Sequence, residues 1–172
     1  QKRDYDGMEV VLDEITASKE ETAKLGICNG DYVCFDPRTV VTESGFIKSR
    51  YLDDKLSAAI LLGFAKQFKE NGILANRGIY LHFTVYEEVG HGCSSSVPGD
   101  VTEILCVDMG CVGDDLECSE RKVSICVKDS NGPSNFEMTS KLIECADERK
   151  LDYALDVYPY YGSDPGAALS AG

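Results

Sequence analysis

No tryptophan occurs among the 172 residues. Sugar-binding clefts commonly rest on large aromatic platforms, so the missing indole argues against a carbohydrate site. Nor does any Cys-x-x-Cys pair occur among the eight cysteines, at 28, 34, 93, 106, 111, 118, 126 and 145. That spacing gives little support to a zinc knuckle or to a small disulfide scaffold. Several cysteines (Cys34, Cys106, Cys126) fall within apolar, strand-like runs, which predicts core thiols. Basic charge is scarce: 17 Lys and Arg stand against 30 Asp and Glu, a net charge of −13. This disfavours nucleic acid or an anionic membrane as the main partner. It fits simple solubility, or carboxylate clusters that balance only when cations are bound. No apolar run reaches transmembrane length and no leader pattern is present, so a reducing cytoplasm is the expected location. The chain starts at Gln1 without methionine and stops at Gly172 after a Gly/Ser/Ala-rich stretch. A piece of a longer protein is the expectation.

The apolar content of 43% is near the globular norm, enough for a core in one domain, or in one domain with part of another. Met8 to Ile15 predicts a short strand. Ser18-Lys19-Glu20-Glu21 is a capping-box pattern that starts a short helix, and Gly26 ends it. Asn29-Gly30-Asp31 predicts a turn, Tyr32 to Phe35 a second strand, and Val40 to Lys48 one or two more. Residues 1–47 thus read as a β-rich unit and 48–172 as a separate α/β domain. From Asp54 to Asn71 the period changes: Leu56, Ile60, Phe64 and Phe68 recur every fourth residue, as on a helix face. Ile79 to Tyr86 is nearly continuous in apolar and β-branched residues, which predicts a strand covered on both faces. Glu103 to Asp108 repeats that type, and Lys122 to Lys128 alternates like an edge or antiparallel strand. Ser134 to Lys150 predicts a second amphipathic helix, Leu151 to Tyr158 a further strand, and Gly162 to Gly166 a loop. Strands alternating with long helices predict an α/β sandwich around a mixed sheet.

Acidic residues stand where the apolar segments stop. Asp53-Asp54 precedes a helix, Glu87-Glu88 follows one predicted strand, and Asp108 follows another. Like charges converging at one sheet edge repel each other unless a cation sits among them. A carboxylate has two oxygens and can bridge two hard or borderline ions. Two such ions lower the pKa of a shared water and polarise a carbonyl, and a glutamate outside the ligand set can take the proton. The plainer roles stay open here. Asp53-Asp54 suits N-capping and dipole complementation, Glu87-Glu88 a solvated face, and Asp108 an ordinary turn.

Four segments in order carry a family resemblance. They are Ser49-Arg50-Tyr51-Leu52-Asp53-Asp54-Lys55, Phe83-Thr84-Val85-Tyr86-Glu87-Glu88-Val89-Gly90, Val107-Asp108 and Gly162-Ser163-Asp164. Together they resemble metallopeptidase family forty-two, the tetrahedral, glutamyl or deblocking aminopeptidases, relatives of other dinuclear zinc exopeptidases. The resemblance runs from about Val10 to the end of the chain. It implies a three-layer α/β sandwich, with residues 1–47 the remnant of an inserted β-rich lid. It implies two divalent ions per site, zinc or cobalt, with Asp53 bridging them, Glu88 on one and Asp108 on the other. Glu87 would be the general base, and the Asp53-Asp54 peptide would be cis. Asp164 would help hold the substrate or its amino end. Peptide substrates and a homo-oligomeric full-length protein are also implied.

The departures are in the histidines. The family places one on each metal, in an early His-x-Asp motif and near the C-terminus, and neither motif is in this chain. The two histidines present, His82 and His91, fall elsewhere: His82 within a predicted strand, His91 near the pocket-lining turn. The isolated chain is therefore expected to bind metal poorly and to be inactive by itself. Two other functions stay in view. One is metal-independent glycoside hydrolysis by two carboxylates, since some relatives carry an endoglucanase label. The other is a catalytically silent scaffold.

Overall fold

The computed structural model describes residues 4–172. Two compact units divide the chain, Gln1–Pro37 and Arg38–Gly172. The Val40–Lys48 hairpin stands in the larger unit.

Among its described residues, the smaller unit holds a 3-10 turn (Tyr5–Gly7) and one α-helix, α1 (Lys19–Lys24). The Ser18 half of its capping box forms as expected, and the Glu21 side chain reaches back one residue further, to Ala17. Ser18 Oγ accepts from the Glu21 N–H at 3.2 Å, and the Glu21 carboxylate accepts from the Ala17 N–H at 2.6 Å. Gly26 ends the helix with φ of +87°, open to glycine at no steric cost. The strands expected at Met8–Ile15 and Tyr32–Phe35 do not form among the described residues. Val10, Val11, Tyr32 and Phe35 are all exposed. Apolar alternation records a face that wants cover, and without a paired neighbour it does not make a strand.

In the larger unit, β1 (Val40–Val41) and β2 (Ile47–Lys48) form an antiparallel hairpin. Helix α2 (Leu52–Glu70) follows, with Asp53 and Asp54 in non-helical conformation inside its first turn and a cis peptide between them. The main sheet has the order β4-β3-β5. Here β3 is Val123–Asp129, β4 is Gly132–Pro133 and β5 is Tyr153–Val157. β3 pairs antiparallel with β4 and parallel with β5. It is thus the central strand of a mixed sheet, not an edge. A parallel pair needs a crossover, and α3 (Phe136–Arg149) supplies it. Asn135 caps that helix by accepting from the Met138 N–H at 2.9 Å. Its C-terminus closes in a Schellman motif: Lys150 is left-handed, and the Leu151 N–H reaches the Ala146 carbonyl at 2.9 Å.

The buried core gathers around this β3-α3-β5 unit: Ile125, Ala146, Ala154 and Tyr158. One carboxylate lies among them. Asp156 is buried and satisfied, accepting from the Glu117 and Cys118 N–H groups at 2.9 and 3.0 Å. The expected loop after Gly162 becomes helix α4 (Asp164–Ala171). Alanine and leucine favour helix, and Pro165 in the first turn costs nothing because that N–H would lack a partner anyway.

Three expectations of burial fail. Ile79–Tyr86 and Glu103–Asp108 form no strand, and Ile79, Tyr80, Phe83, Val85 and Tyr86 are all exposed. Neither segment pairs with an edge of the β4-β3-β5 sheet among the described residues. The α2 residues Leu56, Ile60 and Phe64 are likewise exposed. Of the cysteines, only Cys93 and Cys118 are buried; Cys106 and Cys126 are intermediate and Cys34 is exposed. All eight are free thiols.

Candidate metal centre

The turn from β5 carries the chain to the site. The Tyr161 carbonyl accepts from the Ser130 N–H at 2.9 Å and from Ser130 Oγ at 2.6 Å, tying the post-β5 turn to the end of β3. Ligand clefts of α/β sheets lie beyond the carboxyl ends of parallel strands. Here a cleft of about 280 Å³ is lined by Asp53, Glu87, Glu88, Gly90, Asp108, Tyr161 and Gly162. A second, of about 590 Å³, shares Glu87, Gly90 and Gly162 with it and is otherwise lined by small residues such as Ser94, Ser130 and Ala167 and by Asp164.

Three elements aim carboxylates into the first cleft. At the start of α2, the non-helical Asp53 and Asp54 turn away from the helix ladder. A single 3-10 turn, Glu87–Val89, carries the glutamate pair, and Gly90 ends it with φ of +84°. The segment holding Asp108 runs close against β3 at Gly110, where a Cβ would collide with Ser124. Asp53, Asp54 and Asp108 each offer an oxygen within 4.8 Å of the others. Sequence reasoning selected Asp53 and Asp108 as ligands and left Asp54 out, although its adjacency to Asp53 was a usable signal. Glu88 lines the same cleft outside that close group.

Electrostatics follow from crowding. Burial and then Asp108 push Asp53 up, and burial with Asp108, Asp53 and Glu88 does the same to Asp54 despite an opposing hydrogen bond from Ser57. Glu87 is pushed up to about 7 by burial, then by Asp108, Glu88 and Asp164, with Ser163 opposing. Burial, then Asp108, holds the Tyr161 phenol well above its ordinary value. Its hydroxyl is buried without a hydrogen bond of ordinary geometry, and so is Asp54 Oδ1. A buried carboxylate oxygen with no donor, among like charges, is a site that a hard cation would satisfy. The donor set therefore fits a divalent ion.

The other sequence-selected residues have different surroundings. Asp164 accepts from Thr84 Oγ1 at 2.6 Å and from the Cys93 N–H at 3.2 Å. His82 Nδ1 lies 3.9 Å from Cys93 Sγ. His91 stacks on Tyr86 with ring centroids 5.0 Å apart. Neither histidine joins the carboxylate group.

The sequence model of the M42 glutamyl aminopeptidase family matches residues 1–172. The chain belongs to the M42 peptidases. A Bacillus subtilis (strain 168) protein named "Putative aminopeptidase YhfE" is 43% identical over 171 residues, covering 99% of this chain and 49% of that protein. An Acetivibrio thermocellus protein named "Putative aminopeptidase" is 31% identical over 166 residues, covering 90% of this chain and 48% of its own length. The chain thus spans about half the length of the curated relatives it matches. The mixed α/β architecture and mixed sheet agree with M42 membership. Among the described residues, no helix is long and apolar enough to cross a membrane.

Proposed function

We propose that the intact protein is a cytoplasmic, metal-dependent aminopeptidase that removes N-terminal residues from peptides, with 48–172 part of a three-layer catalytic domain and 1–47 the remnant of a lid. One observation carries this reading: three carboxylates of an M42 chain converge within 4.8 Å, with Glu87 in the same cleft. Asp53, Glu88 and Asp108 would hold two divalent ions, zinc or cobalt, and Asp54 stands ready to orient or join them. When bound, those ions supply a water of lowered pKa and polarisation of the scissile carbonyl.

The chain's own residues supply the proton handling. Glu87 takes a proton from the attacking water as oxygen bonds to the carbonyl carbon. It returns that proton to the leaving amine as the C–N bond breaks. Without a cation, burial and then Asp108, Glu88 and Asp164 push this carboxyl up, and a glutamate outside the ligand set can carry the proton in both directions. The adjoining cleft, lined by small residues together with the Glu87 and Asp164 carboxylates, gives room for the departing peptide. Homo-oligomer formation belongs to the same reading. The peptidase family and the relatives' names favour it over a glycosidase.

The intact protein should hydrolyse aminoacyl anilides when supplied with Zn²⁺ or Co²⁺, lose the activity in EDTA, and regain it on adding the ion back. Hydrolysis that survives exhaustive chelation contradicts the metal-dependent mechanism.

A further inference from the structure

The segments bearing Glu87, Glu88 and Asp108 form no strand among the described residues. Among the described residues, no backbone hydrogen bond joins residues 79–85 or 102–112 to another segment. Side chains from one place in the chain reach both. Ser163 Oγ donates to Asp108 Oδ2 at 2.6 Å. Its neighbour Asp164 accepts from Thr84 Oγ1 through one oxygen and from the Cys93 N–H through the other. Thr84 and Cys93 flank the glutamate pair, so this carboxylate closes the loop 84–93 at its base. Gly92 makes the closure possible, because a Cβ there would run into the Asp164 and Thr84 oxygens.

We propose that Ser163 and Asp164, at the start of α4, form a clamp that fixes the separation of the two halves of the carboxylate site. Ser163 sets Asp108, and Asp164 sets the Glu87-Glu88 loop. The inference rests on the aminopeptidase reading of this site. It makes Asp164 a positioning residue, with both oxygens committed to internal donors, and not the anchor of a substrate's amino end. The two roles need different chemistry. A clamp needs an acceptor for the Cys93 N–H and a partner for the Thr84 hydroxyl, and an amide supplies both. An ammonium anchor needs the negative charge.

The test compares Asp164→Ala with Asp164→Asn, and Ser163→Ala with Ser163→Thr, in the intact protein. Calorimetric titration with Mn²⁺ and steady-state hydrolysis of an aminoacyl anilide are read on each. The alanine variants should lose about 10–100-fold in cation affinity, as loss of an outer-shell partner does, and lose kcat with little change in KM. The asparagine and threonine variants should recover most of the affinity. Asp164→Asn with a raised KM and undiminished cation affinity overturns the clamp in favour of substrate anchoring. Alanine variants with wild-type affinity and kcat also overturn it. Should Asp164→Ala fail to fold, Thr84→Val against Thr84→Ser makes the same comparison. A wild-type protein that binds Mn²⁺ but cleaves no aminoacyl substrate refutes the peptidase reading, and the affinities still decide the clamp. Hydrogen exchange at the Cys93 amide reads loop closure without metal: faster in Asp164→Ala than in Asp164→Asn if the clamp exists, equal if it does not.

Discussion

Glu87→Gln should lower kcat for aminoacyl anilides by about 10²–10⁴-fold, the usual contribution of a positioned acid–base group, while cation uptake stays near wild type. The glutamine is isosteric and can still accept a hydrogen bond, but it cannot take and return a proton. Glu87 also lies outside the close group of Asp53, Asp54 and Asp108, so its loss should leave most of the cation's oxygens in place. Its carboxyl is raised to about 7 chiefly by burial, and the cleft around it is where water and peptide would meet. Kinetics and calorimetry on the same preparation separate the two effects. A mutant with full turnover removes Glu87 from the chemistry, and one that loses cation binding in proportion to activity makes it a ligand.

Asp53→Ala should have the opposite signature. Removing a carboxylate that meets both Asp54 and Asp108 should weaken cation binding by more than the roughly 10–100-fold that an outer-shell loss costs, and hydrolysis should fall with it. The metal-free protein should melt no lower than wild type, because like charges crowd this corner. Asp53 is itself pushed up by burial and by Asp108, so folding without a cation works against its ionised form. Thermal melts in EDTA and in Mn²⁺ check both halves. A mutant that melts lower in EDTA, yet binds Mn²⁺ like wild type, would make Asp53 a structural cap and nothing more.

What the sequence made legible was local chemistry. The capping box at Ser18, the helix face from Leu56 to Phe68, the crossover helix and β5 all follow from short-range periodicity and turn residues. So does the hairpin between Val40 and Lys48, whereas the convergence of Asp53 with Asp108 was expected from acidic residues at segment ends and from the family resemblance. The failures share a cause. Ile79–Tyr86 has the composition of a strand covered on both faces, and α2 the stripe of a packed helix, yet the described residues leave both exposed. Periodicity reports which face seeks burial and is silent about which polypeptide provides it. Helix α4 was hidden because Gly162, Pro165 and Gly166 look like loop punctuation, although proline at a first turn and the alanines after it suit a helix. Asp54 was hidden by its neighbour: at a helix start, one carboxylate explains a cap, and the second drew no separate role. The tie from Asp164 to Thr84 and Cys93 spans 80 and 71 residues of sequence, a separation no local pattern encodes.

The most direct measurement is anomalous diffraction from crystals of the intact protein grown with Mn²⁺ or Zn²⁺. Anomalous peaks should stand between the oxygens of Asp53 and Asp108, with Glu88 in contact and Glu87 near but unbound. Fully occupied ions elsewhere, with this corner holding only water, would contradict a carboxylate-held metal centre.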